Sequence, residues 1–265
     1  GFSEVYKAFD LYDFCLVAVK IHRINSLWSE QKKMNYIKHV KRETDIQKSL
    51  RHARMVQVRD VFEIDVDSFG TVLEFCEGHD LDAILRKSGT LPEREARFII
   101  IQVLDGLNYL ATREKPIIHY DLKPANILFD ENGAVKIADF GLSKEMQGDA
   151  TSIELTSQGT GTYWYLPPEC FELNSPKISS KVDVWSVGVI FYQMLFGKRP
   201  FGHGMTQEQV QRNRVIQSAK LEFPDRPTVS QACKDFIKQL LVSVSLRPTV
   251  HEAVVHPYLT AFMNS

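Results

Sequence analysis

A run of polar and charged residues at positions 119–126 restricts what the chain can fold into more than any other feature. It reads His-Tyr-Asp-Leu-Lys-Pro-Ala-Asn, and a further acid follows at Asp139, which begins an Asp-Phe-Gly sequence. Five residues of the run, His119, Asp121, Lys123, Pro124 and Asn126, form the pattern H-x-D-x-K-P-x-N. With each of them at about 5% usage, this pattern arises by chance on the order of once in ten thousand chains of this length. Asn126 and Asp139 offer the hard oxygen ligands that Mg²⁺ prefers. Asp121 can orient a hydroxyl and Lys123 can neutralise a phosphate, so the run predicts a phosphoryl-handling site.

The predicted secondary structure changes from mainly strands to mainly helices near residue 75. Residues 15–21 alternate in a strand pattern that places Ala18 and Lys20 on one face. Residues 28–50 contain neither Gly nor Pro and predict a long helix. Other strands are expected at residues 1–9, 56–64 and 71–75, with a turn at residues 65–70 between the last two. The pattern predicts a strand-rich first part, a hinge near residues 75–80 and a helical remainder.

The helical part carries sequence signals for where two of its helices begin. The sequence Thr-Leu-Pro-Glu at residues 90–93 predicts a capping box with proline just inside a helix. Residues 182–196 are apolar nearly all round, as expected of a buried helix. Thr249 and Glu252 have capping-box spacing and are expected to begin the last helix. A polar segment at residues 143–161 lacks periodicity.

Composition and charge exclude several classes of protein. The chain is 44% hydrophobic and 25% charged, so a disordered or fibrous chain is excluded. A net charge of −1 provides no global field to attract nucleic acid or an anionic membrane. The longest apolar run, residues 184–196, is too short to cross a bilayer, so a soluble intracellular protein is expected. No cysteine pair has C-x-x-C spacing, which predicts buried or partly buried free thiols at Cys15, Cys76, Cys170 and Cys233.

These motifs resemble the catalytic domain of eukaryotic protein kinases, and the resemblance covers nearly the whole chain. It implies an α+β, two-lobed protein-kinase fold, with a small β-rich N-lobe at residues 1–76 and a larger helical C-lobe at residues 77–265. The N-lobe would lack its first strand and the start of its Gly-rich loop, since Gly1 falls between the second and third glycines of that loop. Ser3 stands at the third glycine, so weak ATP binding is expected of the chain as given.

The resemblance also implies the roles of individual residues. Lys20 would hold the ATP phosphates and Glu43 would hold Lys20, while Asp121 and Lys123 would serve the transfer itself. Asn126 and Asp139 would bind Mg²⁺. The other ATP-binding positions implied are Val5 and Ala18 over the adenine, Glu74 and Cys76 in the hinge after Leu73, Asp80 at the ribose, and Leu128.

Other matches to the family are structural. They are an ion pair between Glu169 and Arg247, a buried Asp183 beneath the catalytic loop, His119 packed behind Phe140, and Thr162 in contact with Asp121 and Lys123. Thr162 and the Lys-Pro pair after Asp121 are typical of Ser/Thr kinases. Tyr120 stands where the family usually has an arginine that binds a phosphorylated activation segment. Candidate phosphosites in that segment are Thr151, Ser152, Thr156, Ser157 and Thr160.

Residues 119–121, 161–171 and 196–203 together resemble the Tousled-like kinases in particular. That resemblance implies a nuclear protein that acts in chromatin assembly and phosphorylates a histone chaperone of the anti-silencing family. It implies dimerisation through segments outside this chain, and no direct contact with nucleic acid or membrane. Two alternatives remain open at this stage: a pseudokinase that serves as a binding module with impaired ATP binding, and a phosphotransferase for small molecules.

Overall fold

The N-terminal part of the protein is an antiparallel sheet covered by one long helix. The computed structural model describes residues 3–146, 152–154, 161–172, 176–218 and 220–263. The sheet has the order β1-β2-β4-β3 and consists of β1 (Ser3–Asp10), β2 (Cys15–Arg23), β3 (Val58–Asp65) and β4 (Ser68–Glu74). Helix α1 (Glu30–Ser49) lies between β2 and β3 in the chain and buries one face that includes Val40, Glu43 and Gln47.

The turn between β3 and β4 is shorter than the sequence predicts. We expected a turn over residues 65–70, but β4 already begins at Ser68. Gly70 lies under the ring of its cross-strand neighbour Phe62, and a Cβ on Gly70 would come within 2.5 Å of that ring. Phe69 stacks on His22 with ring centroids 4.8 Å apart. These cross-strand ring contacts extend the strand through residues that the turn signal assigns to a loop.

The remainder of the protein is mainly helical, as predicted. Its helices are α2 (Leu81–Ser88), α3 (Glu93–Ala111), α4 (Lys181–Phe196), α5 (Gln207–Arg212), α6 (Val215–Ser218), α7 (Gln231–Leu240), α8 (Val250–Val254) and α9 (Pro257–Met263). Short antiparallel pairs join β5 (Ile117–Ile118) to β8 (Lys144–Glu145), β6 (Ile127–Phe129) to β7 (Val135–Ile137), and β9 (Ile153–Glu154) to β10 (Lys177–Ile178). These pairs position the polar run at residues 119–126.

Helix α4 is the centre of the main hydrophobic core. Nearly every side chain on it is buried, which explains why its sequence is apolar all round. Gly188 lets α7 approach closely, because a Cβ there would lie 2.9 Å from Leu240. The helix ends at Gly197 in the left-handed conformation. Among the helices that the structure describes, none is long and apolar enough to cross a membrane.

One of the two predicted capping boxes is wrong. Helix α3 begins at Glu93 with Pro92 as its N-cap, and no side chain caps it. The Glu93 carboxylate instead accepts hydrogen bonds from the backbone and hydroxyl of Ser230 and from the Tyr258 hydroxyl. These long-range partners occupy the side chain that a capping box would need.

The second capping box is confirmed, although it begins a different helix from the one expected. Thr249 and Glu252 form both reciprocal hydrogen bonds at the start of α8. Helix α9 follows α8, so α8 is not the last helix. The prediction for the cysteines is confirmed, because all four are free and each is buried or partly buried.

Candidate active site

One buried acid holds the backbone of His119 and Tyr120 through hydrogen bonds. Asp183, in the first turn of α4, accepts hydrogen bonds from the backbone N–H groups of His119 at 2.8 Å and Tyr120 at 2.9 Å. Burial raises the pKa of Asp183 because it disfavours the charged carboxylate, and the two N–H donors counteract part of that effect by stabilising the charged form. Tyr120 has a φ of 68°, a left-handed conformation that a non-glycine residue adopts only with support. The predicted contact of Asp183 with this loop is therefore present and keeps Asp121 in place.

Asp121, Lys123 and Thr162 form a closed hydrogen-bonded triangle. The Lys123 Nζ lies 2.6 Å from Asp121 Oδ2 and donates to the Thr162 hydroxyl at 3.2 Å. The Thr162 hydroxyl donates in turn to Asp121 Oδ1 at 2.8 Å. Both oxygens of the carboxylate are therefore oriented, and a cation lies beside it. This geometry suits a group that positions a hydroxyl next to developing negative charge.

Two side chains with oxygen atoms suited to bind a metal ion lie next to this triangle. Asn126 donates its amide N–H to the Asp121 carbonyl at 2.9 Å, and its Oδ1 has no hydrogen-bond partner within the described ranges. Asp139 also has a left-handed backbone, with a φ of 62°, and its side chain is 47% exposed. Its Oδ1 accepts the Gly141 N–H at 3.3 Å. An amide oxygen and an open carboxylate are ligands that suit Mg²⁺.

An ion pair connects the sheet to the long helix. Lys20 on β2 hydrogen-bonds Glu43 on the buried face of α1. The Lys20 Nζ also lies 4.0 Å from Asp139 Oδ1, so the sheet lysine reaches the Asp-Phe-Gly sequence of the helical part. Burial and the nearby Lys20 charge lower the pKa of His22 to about 4, so His22 adds no positive charge here at neutral pH. Lys20 is therefore a cation that could bind anionic phosphate oxygens beside Asp139.

The expected nucleotide-contacting residues of the sheet are neighbours across strands. Ala18 is paired with Leu73 in the β2–β4 register, and Val5 is opposite Lys20 in the β1–β2 register. Ala18 is partly buried, and Val5 is 63% exposed. Both positions therefore lie beside Lys20 in the sheet.

The segment after β4 packs against β6. The Gly78 N–H donates to the Phe129 carbonyl at 3.0 Å, and a Cβ on Gly78 would lie 2.8 Å from that oxygen. This close approach brings the segment beside Leu128, which is partly buried in β6. Burial raises the pKa of the Cys76 thiol to about 11, so Cys76 is neutral at physiological pH.

Glu74 and Asp80 each have a structural partner. The Glu74 backbone N–H donates to the Gln57 carbonyl at 2.8 Å, and its carboxylate pairs with Lys136. Asp80 is the N-cap of α2 and accepts the Ala83 N–H at 2.8 Å through Oδ1. The cap uses Asp80 Oδ1 and not Oδ2. Asp80 can therefore cap α2 and make a second contact through Oδ2.

Comparison with known protein families identifies the family of this chain. Residues 1–259 match the protein kinase domain. The chain belongs to the protein kinase family. The α+β architecture implied by the sequence, with a small antiparallel sheet before a helical region, is therefore confirmed for this kinase domain.

The similarity to the Tousled-like kinases is also confirmed. The kinase domain is 57% identical over 265 residues to the serine/threonine-protein kinase TOUSLED of Arabidopsis thaliana, covering 98% of this chain and 38% of that protein. It is 50% identical over 273 residues to the human serine/threonine-protein kinase tousled-like 1, covering 99% and 36%. It is 52% identical over 270 residues to tousled-like 2 of Xenopus tropicalis, covering 98% and 39%. The chain thus spans less than two fifths of the length of these relatives.

The activation segment of the kinase is attached at its C-terminal end. Arg247 is 1% exposed and binds both carboxylate oxygens of Glu169, at 2.6 and 3.1 Å. The predicted pair is therefore present. His119 packs against Phe140 with ring centroids 5.0 Å apart, and its Nε2 lies 3.0 Å from the Ala138 carbonyl, which supports a structural role.

The tyrosine that replaces the family's arginine has an apolar environment. Tyr120 is 1% exposed and lies in a cluster with Leu166, Ile178 and Val182. The Lys144 Nζ lies 5.2 Å from the centre of the Tyr120 ring. Four candidate phosphosites, namely Thr151, Thr156, Ser157 and Thr160, lie outside the described residues, whereas Ser152 is described and partly buried.

Sequence reasoning missed some partners of the site. Gln47 stands at a position usually apolar in the family; it is buried and donates to the Val56 carbonyl at 3.1 Å. Arg42 on α1 donates to the Ser143 carbonyl at 2.7 Å and joins α1 to the start of the activation segment. Neither contact has a local signal, because each joins residues from different elements.

Proposed function

We propose that the protein is a serine/threonine protein kinase that transfers the γ-phosphoryl group of ATP to protein Ser or Thr hydroxyls. The observation that carries the proposal is the triangle of Asp121, Lys123 and Thr162. A carboxylate whose two oxygens are both oriented can accept a hydrogen bond from an incoming hydroxyl and draw it into line. Thr162 also supports a hydroxyl of Ser or Thr as the acceptor, since this threonine matches the one found in that class of kinase.

The other residues of the site have roles in positioning and charge neutralisation. Lys20 binds phosphate oxygens of the nucleotide, and Glu43 keeps Lys20 extended toward them. Lys123 stabilises negative charge that moves onto the transferring group and the acceptor. Asp121 orients the acceptor hydroxyl and takes up its proton as the new bond forms. Phosphoryl transfer needs this preorganisation more than it needs covalent chemistry by the protein.

The chain also has residues that fit Mg²⁺ and ATP. Asn126 Oδ1 and the Asp139 carboxylate are hard oxygen donors beside Lys20 and Asp121, and they would hold the metal. When bound, Mg²⁺ neutralises the charge of the phosphate groups. For the nucleotide base we propose contacts with the sheet and the hinge, through Val5, Ala18, Leu128 and the backbone of Glu74 and Cys76, with Asp80 at the ribose. We also propose the division into an N-lobe at residues 1–76 and a C-lobe at residues 77–265.

The biological setting follows from the similarity to the Tousled-like kinases. We propose a nuclear kinase that acts in chromatin assembly on a histone chaperone of the anti-silencing family, with dimerisation outside this chain. The pairing of Lys20 with Glu43 and the presence of Asp121, Asn126 and Asp139 leave nothing that favours a pseudokinase. The ordered activation-segment end at Glu169 and Arg247 favours a protein substrate over a small molecule.

A phosphate-transfer assay tests the proposal. The protein is incubated with radiolabelled ATP, Mg²⁺ and a mixed protein substrate, and the label on Ser and Thr is measured after hydrolysis. We expect label on Ser and Thr, none on Tyr, and none with Asp121→Asn. Transfer that persists in Asp121→Asn, or a wild-type protein that binds ATP without transferring phosphate to any protein, would overturn the proposal.

A further inference from the structure

An arginine near the acceptor site stacks on an aromatic ring. The Arg199 guanidinium carbon lies 4.0 Å from the centre of the Trp164 ring, and the side chain is partly buried. Within the described ranges Arg199 has neither a hydrogen bond nor an ion pair, and burial lowers its pKa from the ordinary value. Partial burial of a charge is costly unless the charge is paired. The stack with the indole offsets part of that cost but leaves the guanidinium donors available.

The loop that carries Arg199 is anchored immediately after it. Phe201 is 4% exposed and stacks on Trp185 with ring centroids 5.6 Å apart. Gly202 has a φ of 61°, and a Cβ there would lie 3.3 Å from the Trp164 ring. Trp164 therefore contacts Arg199 and the backbone of the same loop. The guanidinium is held on a rigid support and is not a mobile surface group.

This support is directly connected to the acceptor site. Trp164 comes two residues after Thr162, whose hydroxyl binds Asp121. Two residues of chain span at most about 7 Å. The Tyr163 N–H donates to Gln207 at 2.8 Å, and the Tyr165 hydroxyl donates to Gln193 at 2.7 Å, so the segment is fixed to α5 and α4. A peptide whose acceptor hydroxyl meets Asp121 has nearby side chains within reach of Arg199.

The loop and the segment that faces it carry charge of one sign, and Asp82, an acid on α2 whose charge reaches Tyr165, is paired with Arg86. The loop at residues 197–206 contains Lys198, Arg199 and His203 and no acid, and the facing segment at residues 161–168 contains no acid either. A basic substrate side chain here would meet like charge. An oxyanion would meet a planar fork of N–H donors that binds carboxylate or phosphate at two points.

We infer that Arg199 is a specificity-determining residue that selects protein substrates with an oxyanion, either a carboxylate or a phosphate, within a few residues of the acceptor. The inference rests on the proposed kinase function and adds a substrate class to it. Trp164 is the positioning residue that holds the guanidinium. The occupant is an acidic side chain of the substrate, and its two sources are Asp or Glu and a previously phosphorylated Ser or Thr.

Peptides that differ at one position test the inference. A neutral Ser peptide is varied from three residues before the acceptor to three after it, with Glu, phosphoserine, Gln or Lys at each position. We expect at least one position where Glu and phosphoserine raise kcat/KM about tenfold over Gln, while Lys lowers it. Preference for Glu alone identifies an acidic motif, and preference for phosphoserine over Glu identifies a previously phosphorylated substrate. Both results support the inference.

Variants assign the preference to one side chain. In Arg199→Met the advantage of the acidic peptides should fall to about twofold or less, while the neutral peptide keeps its kcat/KM and thereby reports an intact fold. Arg199→Lys should retain part of the preference, and Arg199→Glu should reverse it. Lys198→Met is the matched control, since it removes the same charge from the exposed neighbouring residue and should keep the wild-type preference.

Three outcomes would overturn the inference. The first is a wild-type protein that phosphorylates acidic and neutral peptides equally, and the second is an unchanged preference in Arg199→Met. The third is a Lys198→Met variant that loses as much preference as Arg199→Met. In all three the protein still phosphorylates peptides, so the proposed kinase function stands. No transfer to any peptide would overturn the kinase function and this inference with it.

Discussion

At the scale of single residues, the site depends on two strained backbone positions. Tyr120 and Asp139 both have positive φ values although neither is glycine. Each such residue costs on the order of 1–3 kcal/mol and persists only where its surroundings impose the conformation. Asp183 accepts hydrogen bonds from the backbone N–H groups of His119 and Tyr120, and the Asp139 carboxylate accepts the N–H of Gly141. These contacts fix the backbone beside Asp121 and at Asp139, the two acids of the site.

The two acids have different expected partners, and substitution should separate them. We expect Asp121→Asn and Asp139→Asn each to lower kcat at least a thousandfold, about 4 kcal/mol. Asp139→Asn should also weaken Mg²⁺–ATP binding tenfold or more, because it removes a charged metal ligand. Asp121→Asn should leave ATP affinity within twofold, because its partner is the acceptor hydroxyl. Calorimetric titration of ATP with and without Mg²⁺ measures the difference.

The matched control is Asp130→Asn, an acid in a turn whose carboxylate accepts backbone N–H groups. This variant should keep wild-type ATP affinity and near wild-type turnover. Equal ATP dissociation constants for Asp121→Asn and Asp139→Asn would contradict the roles assigned to the two acids.

At the scale of elements, apolar contacts around Tyr120 join the described end of the activation segment to β10 and α4. Leu166, Ile178 and Val182 surround the buried ring, and β9 pairs with β10 across the segment. A neutral phenol offers phosphate a single hydrogen bond, whereas an arginine would offer a charge-assisted fork. Lys144 lies over the Tyr120 ring, and burial lowers its pKa. The described parts of the segment are therefore held by packing and by strand pairing.

This packing predicts weak dependence on phosphorylation of the segment. Substitution of the five candidate sites together, Thr151, Ser152, Thr156, Ser157 and Thr160, by Ala should lower kcat/KM less than tenfold. Thr162→Ala is the contrasting variant, since its hydroxyl binds Asp121, and it should lower kcat/KM at least a hundredfold. Peptide kinetics measure both. A hundredfold loss in the fivefold variant, about 2.7 kcal/mol, would establish a phosphate-dependent switch despite Tyr120.

The contrast between local and distant contacts explains which elements could be predicted. The run at residues 119–126 and the helix signals near Thr249 depend on neighbours in sequence, so their spacing is visible in the chain. The capping box near residue 90 failed because Glu93 binds Ser230 and Tyr258, which are far away in sequence. The stack of Arg199 on Trp164 was not predictable for the same reason. Contacts that only the packed structure creates have no local pattern.

At the scale of the whole molecule, one buried ion pair joins the activation segment to the C-terminal helices. Arg247 binds Glu169 and also donates to the carbonyls of Val242 and Lys181. Its guanidinium carbon lies 5.0 Å from the centre of the Trp185 ring on α4. Three distant parts of the chain therefore share one cation. Breaking such a pair costs about 3–5 kcal/mol, a large part of a typical domain's 5–15 kcal/mol.

The cost should depend on which partner is removed. Arg247→Met should destabilise the protein by about 4 kcal/mol or more, because it leaves a buried carboxylate and two carbonyls without their donor. Glu169→Gln should cost less, about 3 kcal/mol, because Gln keeps one acceptor and Arg247 keeps its carbonyl partners. The double variant Glu169→Gln/Arg247→Met should cost less than the sum of its single variants, since no unpaired charge remains. Urea unfolding followed by tryptophan fluorescence measures all four proteins, and costs that simply add would show that the two side chains do not act as a pair.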